Sequence, residues 1–417
     1  MAEARSLRSP AAFAFATLFA ALLQEPVAAQ SAAIDNPAGA PKGTSAAPPD
    51  KAHDDPYWPK FGLETIGSLE YARMRADDGP SRGPDARLRL DSTALVEFND
   101  KLSLDGLFQF KPRQPLSASD PNNELYVNQG PRREEGGKMK ELYVRYGDYR
   151  IGKFVQDFGR AYALLPGAQA ADFIEETEQG YEPSEMVGLE KLHVFEDESH
   201  GWRQLSVSAF TVDRTFLHRS FPYDEGIIHL RDGGVGNTRW PENLMATWNV
   251  LRQPVGTWAQ LDYQASVIRW GKTEGAQRGE VWTTIGGNLN IPLRGSVEDT
   301  LRGHFSQAQL YVEAARRDNF NGVAGRARDY LSGAMSYLTG PWRFDLTTTQ
   351  RWTTDRIASL QRDRLYTTNL GYTLPSRTVV ALSVSSESVD GRRAAYAGIR
   401  ITQTLTACSR CAAAERY

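Results

Sequence analysis

The chain has 417 residues, 41% of them hydrophobic and 24% charged, with a formal net charge of −3. Near-neutrality excludes the basic excess expected of a nucleic-acid binder, and no stretch after Ala29 reaches the ~18 consecutive apolar residues of a membrane-spanning helix. A mean hydropathy of −0.48 suits an exported soluble protein and a membrane β-barrel equally, because only alternate residues of a barrel strand meet lipid; periodicity has to separate the two.

At the start of the chain Arg5 and Arg8 precede the apolar run PAAFAFATLFAALL, and the small-residue pattern PVAA follows. This is the layout of a secretory signal peptide over residues 1–29, cleaved after Ala29. Its removal takes away Glu3, Arg5, Arg8 and Glu25 and leaves the net charge unchanged. Residues 30–60, rich in Pro, Ala, Gly and charge, read as a flexible periplasmic lead-in with no core of its own.

Alternating segments follow. The expected strands are 63–74, 86–98, 101–111, 138–146, 149–155, 188–197, 202–212, 243–252, 257–270, 279–292, 299–314, 328–338, 341–352, 364–374, 377–388 and 392–405. In the second, Leu88, Leu90, Ala94, Val96 and Phe98 oppose Arg87, Arg89, Asp91, Thr93 and Glu97. In the third, Leu102, Leu104 and Phe108 oppose Asp105 and Gln109. In the ninth, Leu261, Tyr263 and Val267 oppose Gln260, Asp262 and Gln264, and in the thirteenth Phe344 and Leu346 oppose Arg343, Asp345 and Arg351. A soluble sandwich would turn the apolar face to a core; a barrel in lipid turns it outward and the polar face toward a wet lumen.

Connection lengths favour the barrel. Short turns (NDK, GD, QPVG, TGP, PSR) take every second connection, and most of the others are longer, including 112–137, 156–187 and 213–242. The pattern predicts an all-β fold: a transmembrane antiparallel β-barrel of the outer-membrane type over 61–406, with about 16 strands, short periplasmic turns and long external loops. Trp202, Trp258, Trp282, Trp342, Trp352, Tyr366 and Tyr372 fall near strand ends and are expected in an aromatic girdle.

The stretch ELYVRYGDYRIGKFVQDFGR, which holds Arg145, resembles one found early in porins of the phosphate-selective porin superfamily, and RDGGVGNTRWPENL is similar to a motif of related outer-membrane proteins. The resemblance implies a sixteen-stranded, usually trimeric, diffusion channel whose third external loop folds into the lumen. Two departures qualify it. Lys is scarce and Arg dominates, so anion preference stays open through bidentate Arg contacts while phosphate specificity does not follow. The last strand, which carries Arg400, is followed by ACSRCAAAERY, a tail over 407–417, so Tyr417 stands off the alternating strand where family members usually end on an aromatic.

The function expected is a porin of a Gram-negative outer membrane, a water-filled channel for passive diffusion of small hydrophilic or ionic solutes. It would be homotrimeric, with outer-membrane lipid and lipopolysaccharide as neighbours and with no cofactor, metal or nucleic acid. The expected lining is Arg87, Arg89, Asp91, Glu97, Asp105, Arg145, Asp262, Arg343, Asp345, Arg351 and Arg400. The third loop, 156–187, carries Asp172, Glu175, Glu176, Glu178, Glu182 and Glu185 and is expected to form the constriction. Carboxylates facing an arginine wall would set up a transverse field that filters solutes by charge and dipole. The plainer alternative is a solvated acidic surface loop.

Two other classes stand beside the channel. His304 and Ser306 share one strand face in GHFSQ, the spacing of a His-x-Ser pair in a barrel lipid hydrolase. A non-conducting structural or adhesion barrel is disfavoured by inferred lumen faces rich in Ser, Thr, Gln, Asn and charge. Cys408 and Cys411 form a C-x-x-C for which a periplasmic disulfide is permitted; Ala412 stands where a c-type haem site needs His, and zinc lacks ligands.

Overall fold

The structure, a computed structural model, describes residues 58–76, 82–110, 137–161, 165, 183, 186–197, 201–221, 227–273, 276–294, 306–354, 361–389 and 391–409. Residues 1–29, expected as a signal peptide, nearly all of segment 30–60, His304 and Cys411 lie outside the described residues. The strands are β1 (Lys60–Ala76), β2 (Arg82–Glu97), β3 (Leu102–Phe110), β4 (Gly137–Tyr146), β5 (Tyr149–Phe154), β6 (Met186–Asp197), β7 (Gly201–Val212) and β8 (Asn243–Val255). They continue with β9 (Ala259–Arg269), β10 (Val281–Arg294), β11 (Ser306–Asp318), β12 (Ala327–Thr339), β13 (Trp342–Thr354), β14 (Gln361–Thr373), β15 (Thr378–Val389) and β16 (Arg392–Ser409).

Each strand pairs antiparallel with its chain neighbours, and β1 pairs with both β2 and β16, so the sheet closes on itself. Closure removes the unpaired edges that an open sheet would leave. The closing seam sets the length of the last strand: Phe61 lies opposite Ser409 and Gly62 opposite Cys408. β16 therefore runs past Thr406, and Cys408 belongs to the ladder rather than to a tail. Of the expected strand 299–314, residues 299–305 lie outside the described residues and 306–314 fall in β11; residues 390–391 join β15 to β16.

The two faces have the polarity of a barrel in lipid. On β13 every residue of the Arg343, Asp345, Thr347, Thr349, Arg351 series is buried, although all are polar. Outward positions are apolar and exposed, among them Leu310, Val312, Met335, Leu382, Val384, Ile401 and Leu405, the last 62% exposed. A water-soluble protein would invert this arrangement, since each exposed apolar side chain forgoes ~1.5–3 kcal/mol of burial. In a bilayer the same face is solvated by acyl chains.

β5 is the irregular strand. After the tight turn at Gly147 (φ 55°) it has six residues and then leaves the wall. At Gly152 (φ 138°), opposite Gly188 of β6, a Cβ would lie 2.4 Å from the Leu142 carbonyl oxygen, so only glycine fits the bend. The gap above β5 is filled by the chain leaving β7. Residues 213–221 cross to β4, where Ser220 and Phe221 pair with Lys138 and Gly137. Lys153 and Asp213 meet beneath this crosspiece at 2.7 Å, both side chains 0% exposed, and Lys153 Nζ donates to the Leu217 carbonyl at 3.0 Å.

Candidate functional site

From Phe154 the chain turns into the barrel, and Val155, Gln156, Asp157, Phe158 and Gly159 are all buried. Ser208 on β7 donates to Gln156 Oε1 at 2.7 Å. The Asp157 carboxylate accepts from Asn249 Nδ2 on β8 at 2.5 Å and from Gln264 Nε2 on β9 at 2.9 Å, and its carbonyl accepts from Thr247 Oγ1 at 2.8 Å. Further on, Arg160 N and Ala161 N donate to the Glu313 carboxylate of β11 at 2.6 and 3.3 Å, and the Tyr311 hydroxyl donates to the same group at 2.7 Å. All these partners share the inward parity of their strands. The segment 155–161 thus spans the interior from β5 to β11. Leu165 N donates to Ala161 O at 2.8 Å. The loop carboxylates Asp172, Glu175, Glu176, Glu178, Glu182 and Glu185 lie outside the described residues.

Phe158 carries this segment into an apolar cluster at the long-loop end of the interior. It packs on Trp282 with ring centroids 6.0 Å apart, Trp282 on Trp270 at 4.8 Å, and Trp270 edge-on to Phe210 at 5.4 Å. Ile228 and Val235, from the connection between β7 and β8, pack against the cluster. Trp282 was expected in the girdle but is only 4% exposed and faces inward, where its Nε1 donates to Glu280 at 2.6 Å. Trp342 and Tyr372 pack in a tilted arrangement, centroids 4.5 Å apart, on the outer face, where Tyr366 is exposed.

The expected lining residues share the inward parity but differ in surroundings. Along β11 to β14 the charges are packed in pairs. Arg343 Nε meets Asp345 at 2.7 Å, Arg351 Nε meets Asp363 at 2.7 Å, and Arg317 meets Glu280 at 3.2 Å, with every one of these side chains almost fully buried. Asn369 also donates to Asp345 at 3.0 Å. Along β16 and β1 to β4 the charges, except the buried Asp91, keep partial access to solvent. Arg89 meets Asp91 at 2.8 Å, Arg145 reaches Asp105 at 3.6 Å with 31% of its side chain exposed, and Arg400 reaches Glu70 at 3.5 Å. Gln109 donates to Asp91 at 2.7 Å, and Glu97 is half-buried opposite Ser103. Asp262, near the short-turn end, accepts from the backbone N of Arg252 at 2.6 Å and from Asn290 at 3.2 Å. The side chain of Arg87 lies outside the described residues.

Sequence reading missed Asp157, Glu313, Glu70 and the Lys153–Asp213 pair. Alternation alone would have placed Glu313 and Glu70 on inward faces; nothing in it marks which of many inward polar residues a loop will touch. Ser306 opens β11 on the outward face, 9% exposed. Among the described residues no group of three or more His, Cys, Asp or Glu side chains is placed to hold a metal ion.

No protein-family model matches the sequence, and no curated protein is significantly similar to it. Solved structures do match in fold. The outer membrane channel DcaP of Acinetobacter baumannii aligns over 83% of this chain and 96% of its own, at 12% identity and a TM-score of 0.52. The anion-selective porin from Comamonas acidovorans aligns over 84% and 100% at 10% identity and a TM-score of 0.50. OmpF of Salmonella typhi, solved with daunomycin, aligns over 82% and 97%, also at 10% identity and a TM-score of 0.50. At these identities the likeness is one of fold: the closed sixteen-stranded barrel of outer-membrane porins.

Proposed function

We propose that the chain is an outer-membrane porin, a diffusion channel for small hydrophilic or ionic solutes, exported with loss of residues 1–29. In this reading the third loop narrows the lumen, beginning with its anchored segment 155–161, and the barrel assembles as a homotrimer. The observation that carries it is the combination of an apolar exterior, a polar interior and a chain segment bonded across that interior. A barrel that only displayed loops would have no use for partly solvated charges along the inner wall of β16 and β1 to β4.

The finer reading concerns charge. Arg343 and Arg351 are sequestered with their own carboxylates, so they contribute little to the field a solute meets. Anion preference then rests on Arg89, Arg145 and Arg400, opposed by Glu70, Asp91 and Asp105 and by the carboxylates of the loop. No phosphate specificity is assigned. Replacing Arg89 and Arg145 by Gln should shift the zero-current potential in a salt gradient toward cations. Replacing Glu175, Glu176 and Glu178 by Gln should shift it toward anions. Both shifts should shrink at molar salt, because charge effects are screened within about 8 Å even at physiological ionic strength. Identical potentials for wild type and both variants at low salt would remove these residues from the passage.

A further inference from the structure

The outward faces of β13 to β16, β1 and β2 carry no carboxylate among the described residues, yet five arginines stand on them: Arg73 and Arg75 on β1, Arg362 and Arg364 on β14, and Arg393 on β16. Their outward direction follows from parity. Asp363 and Leu365 are buried between and beside the β14 pair, and Ala394 is buried next to Arg393. Arg73, Arg75, Arg362 and Arg393 are exposed and Arg364 is partly so.

All five lie at the long-loop ends of their strands. Arg364 is level with Ser388, and Ser388 with Arg393; one step lower Arg75 is level with Ala395. Three strand spacings separate β14 from β1, so the group spans about 14 Å along the rim. Directly below are Tyr71, Tyr366, Val384 and Ile399, all exposed and apolar or aromatic. At the short-turn ends of the same faces no described strand residue is charged; Phe61, Leu63, Tyr372 and Leu405 stand there.

This asymmetry separates the patch from ordinary snorkelling, which would place basic residues at both rims. It also separates it from a generally charged rim. On β11 and β12 the outward Arg316 is neutralised by Asp318 at 2.9 Å and Asp329 at 3.1 Å. Arg362 stacks over Trp352 at 5.6 Å and donates to Gln350, whereas Arg73, Arg75, Arg364 and Arg393 have no hydrogen-bond or ion-pair partner among the described residues.

We infer that this patch holds the phosphorylated headgroup of lipopolysaccharide in the outer leaflet. Guanidinium groups bind phosphate oxygens bidentately, and the apolar band beneath receives the acyl chains of the same molecule. A second copy of the chain is a poorer occupant: among the described strand residues, the outward carboxylates at the long-loop rim are Asp318 and Asp329, which already pair with Arg316, so a neighbouring face offers no free counter-charge to five arginines. The inference rests on placement in an outer membrane but not on conduction, so its test does not use the channel.

The test takes refolded, lipopolysaccharide-free full-length protein in detergent and measures binding of lipopolysaccharide, and of the same lipid with its phosphates removed, by native mass spectrometry. The wild type should retain the phosphorylated form about tenfold better, as expected for charge-assisted contacts. The variant Arg73→Gln/Arg75→Gln/Arg364→Gln/Arg393→Gln, checked for heat-modifiable gel mobility, should lose that difference, while Arg269→Gln/Arg316→Gln, at exposed outward positions of β9 and β11 away from the patch, should keep it. The two-lipid comparison on wild type decides the matter even if the fourfold variant fails to fold. Equal retention of both lipids by the wild type, or a folded fourfold variant that still discriminates, would overturn the inference. So would cross-links showing the patch covered by a second copy.

Discussion

Lys153→Met is expected to destabilise the folded barrel by about 3–5 kcal/mol, the usual loss when one partner of a buried ion pair is removed. The replacement is close in length and apolar, so the damage comes from what it leaves behind. Asp213, fully buried, would keep its bonds from Thr215 N and Oγ1 at 2.8 and 2.7 Å but lose its counter-charge. The Leu217 carbonyl would lose its donor as well. Because the crosspiece 213–221 closes the wall where β5 departs, the weakness would be local and would open the barrel between β4 and β6. Melting followed by the loss of the fast-migrating gel band should show the drop. The double replacement Lys153→Met/Asp213→Leu should recover much of it, since an apolar pair of similar volume is tolerated where a lone buried charge is not. A single variant as stable as wild type would mean that the pair does not hold the crosspiece.

The second large effect is expected from freeing the loop. Asp157→Ala combined with Glu313→Gln removes the acceptor of the Asn249 and Gln264 contacts and weakens the grip on Arg160 N and Ala161 N. Hydrogen bonds to a charged group contribute roughly 1.5–3 kcal/mol each, so losing two shifts the balance between anchored and released loop by about a hundredfold or more. Single-channel records should show a larger mean conductance, with added steps between levels as the segment comes and goes. Stability of the wall should change little, because none of these bonds joins strand to strand. Conductance unchanged from wild type would mean that segment 155–161 does not limit flow.

Much of this architecture is legible in the sequence, for a physical reason. A side-chain period of two and short turns on one side are local properties, and in a closed meander each strand pairs with its neighbours in the chain. The GD hairpin, the β2 alternation from Leu88 to Glu97 and the β13 alternation from Arg343 to Arg351 therefore appear where they were expected. What stays hidden is everything set by register and closure. Arg400 meets Glu70 across 330 positions of sequence, and Glu313 meets the loop across 153. Trp282 looks like a girdle residue until the inward parity of β10 and the neighbouring Trp270 draw it into the interior cluster. The arginines of β13 look like a channel wall until their pairing with Asp345 and Asp363 is known.

The most direct test is the single-channel conductance of the refolded protein in a planar bilayer. Stepwise, ion-carrying insertions whose conductance scales with salt, and which are absent from a heat-denatured sample, are the expected result for a channel with a wet, partly charged passage. A correctly folded, heat-modifiable barrel that inserts and carries no current would contradict it and leave the barrel a structural role.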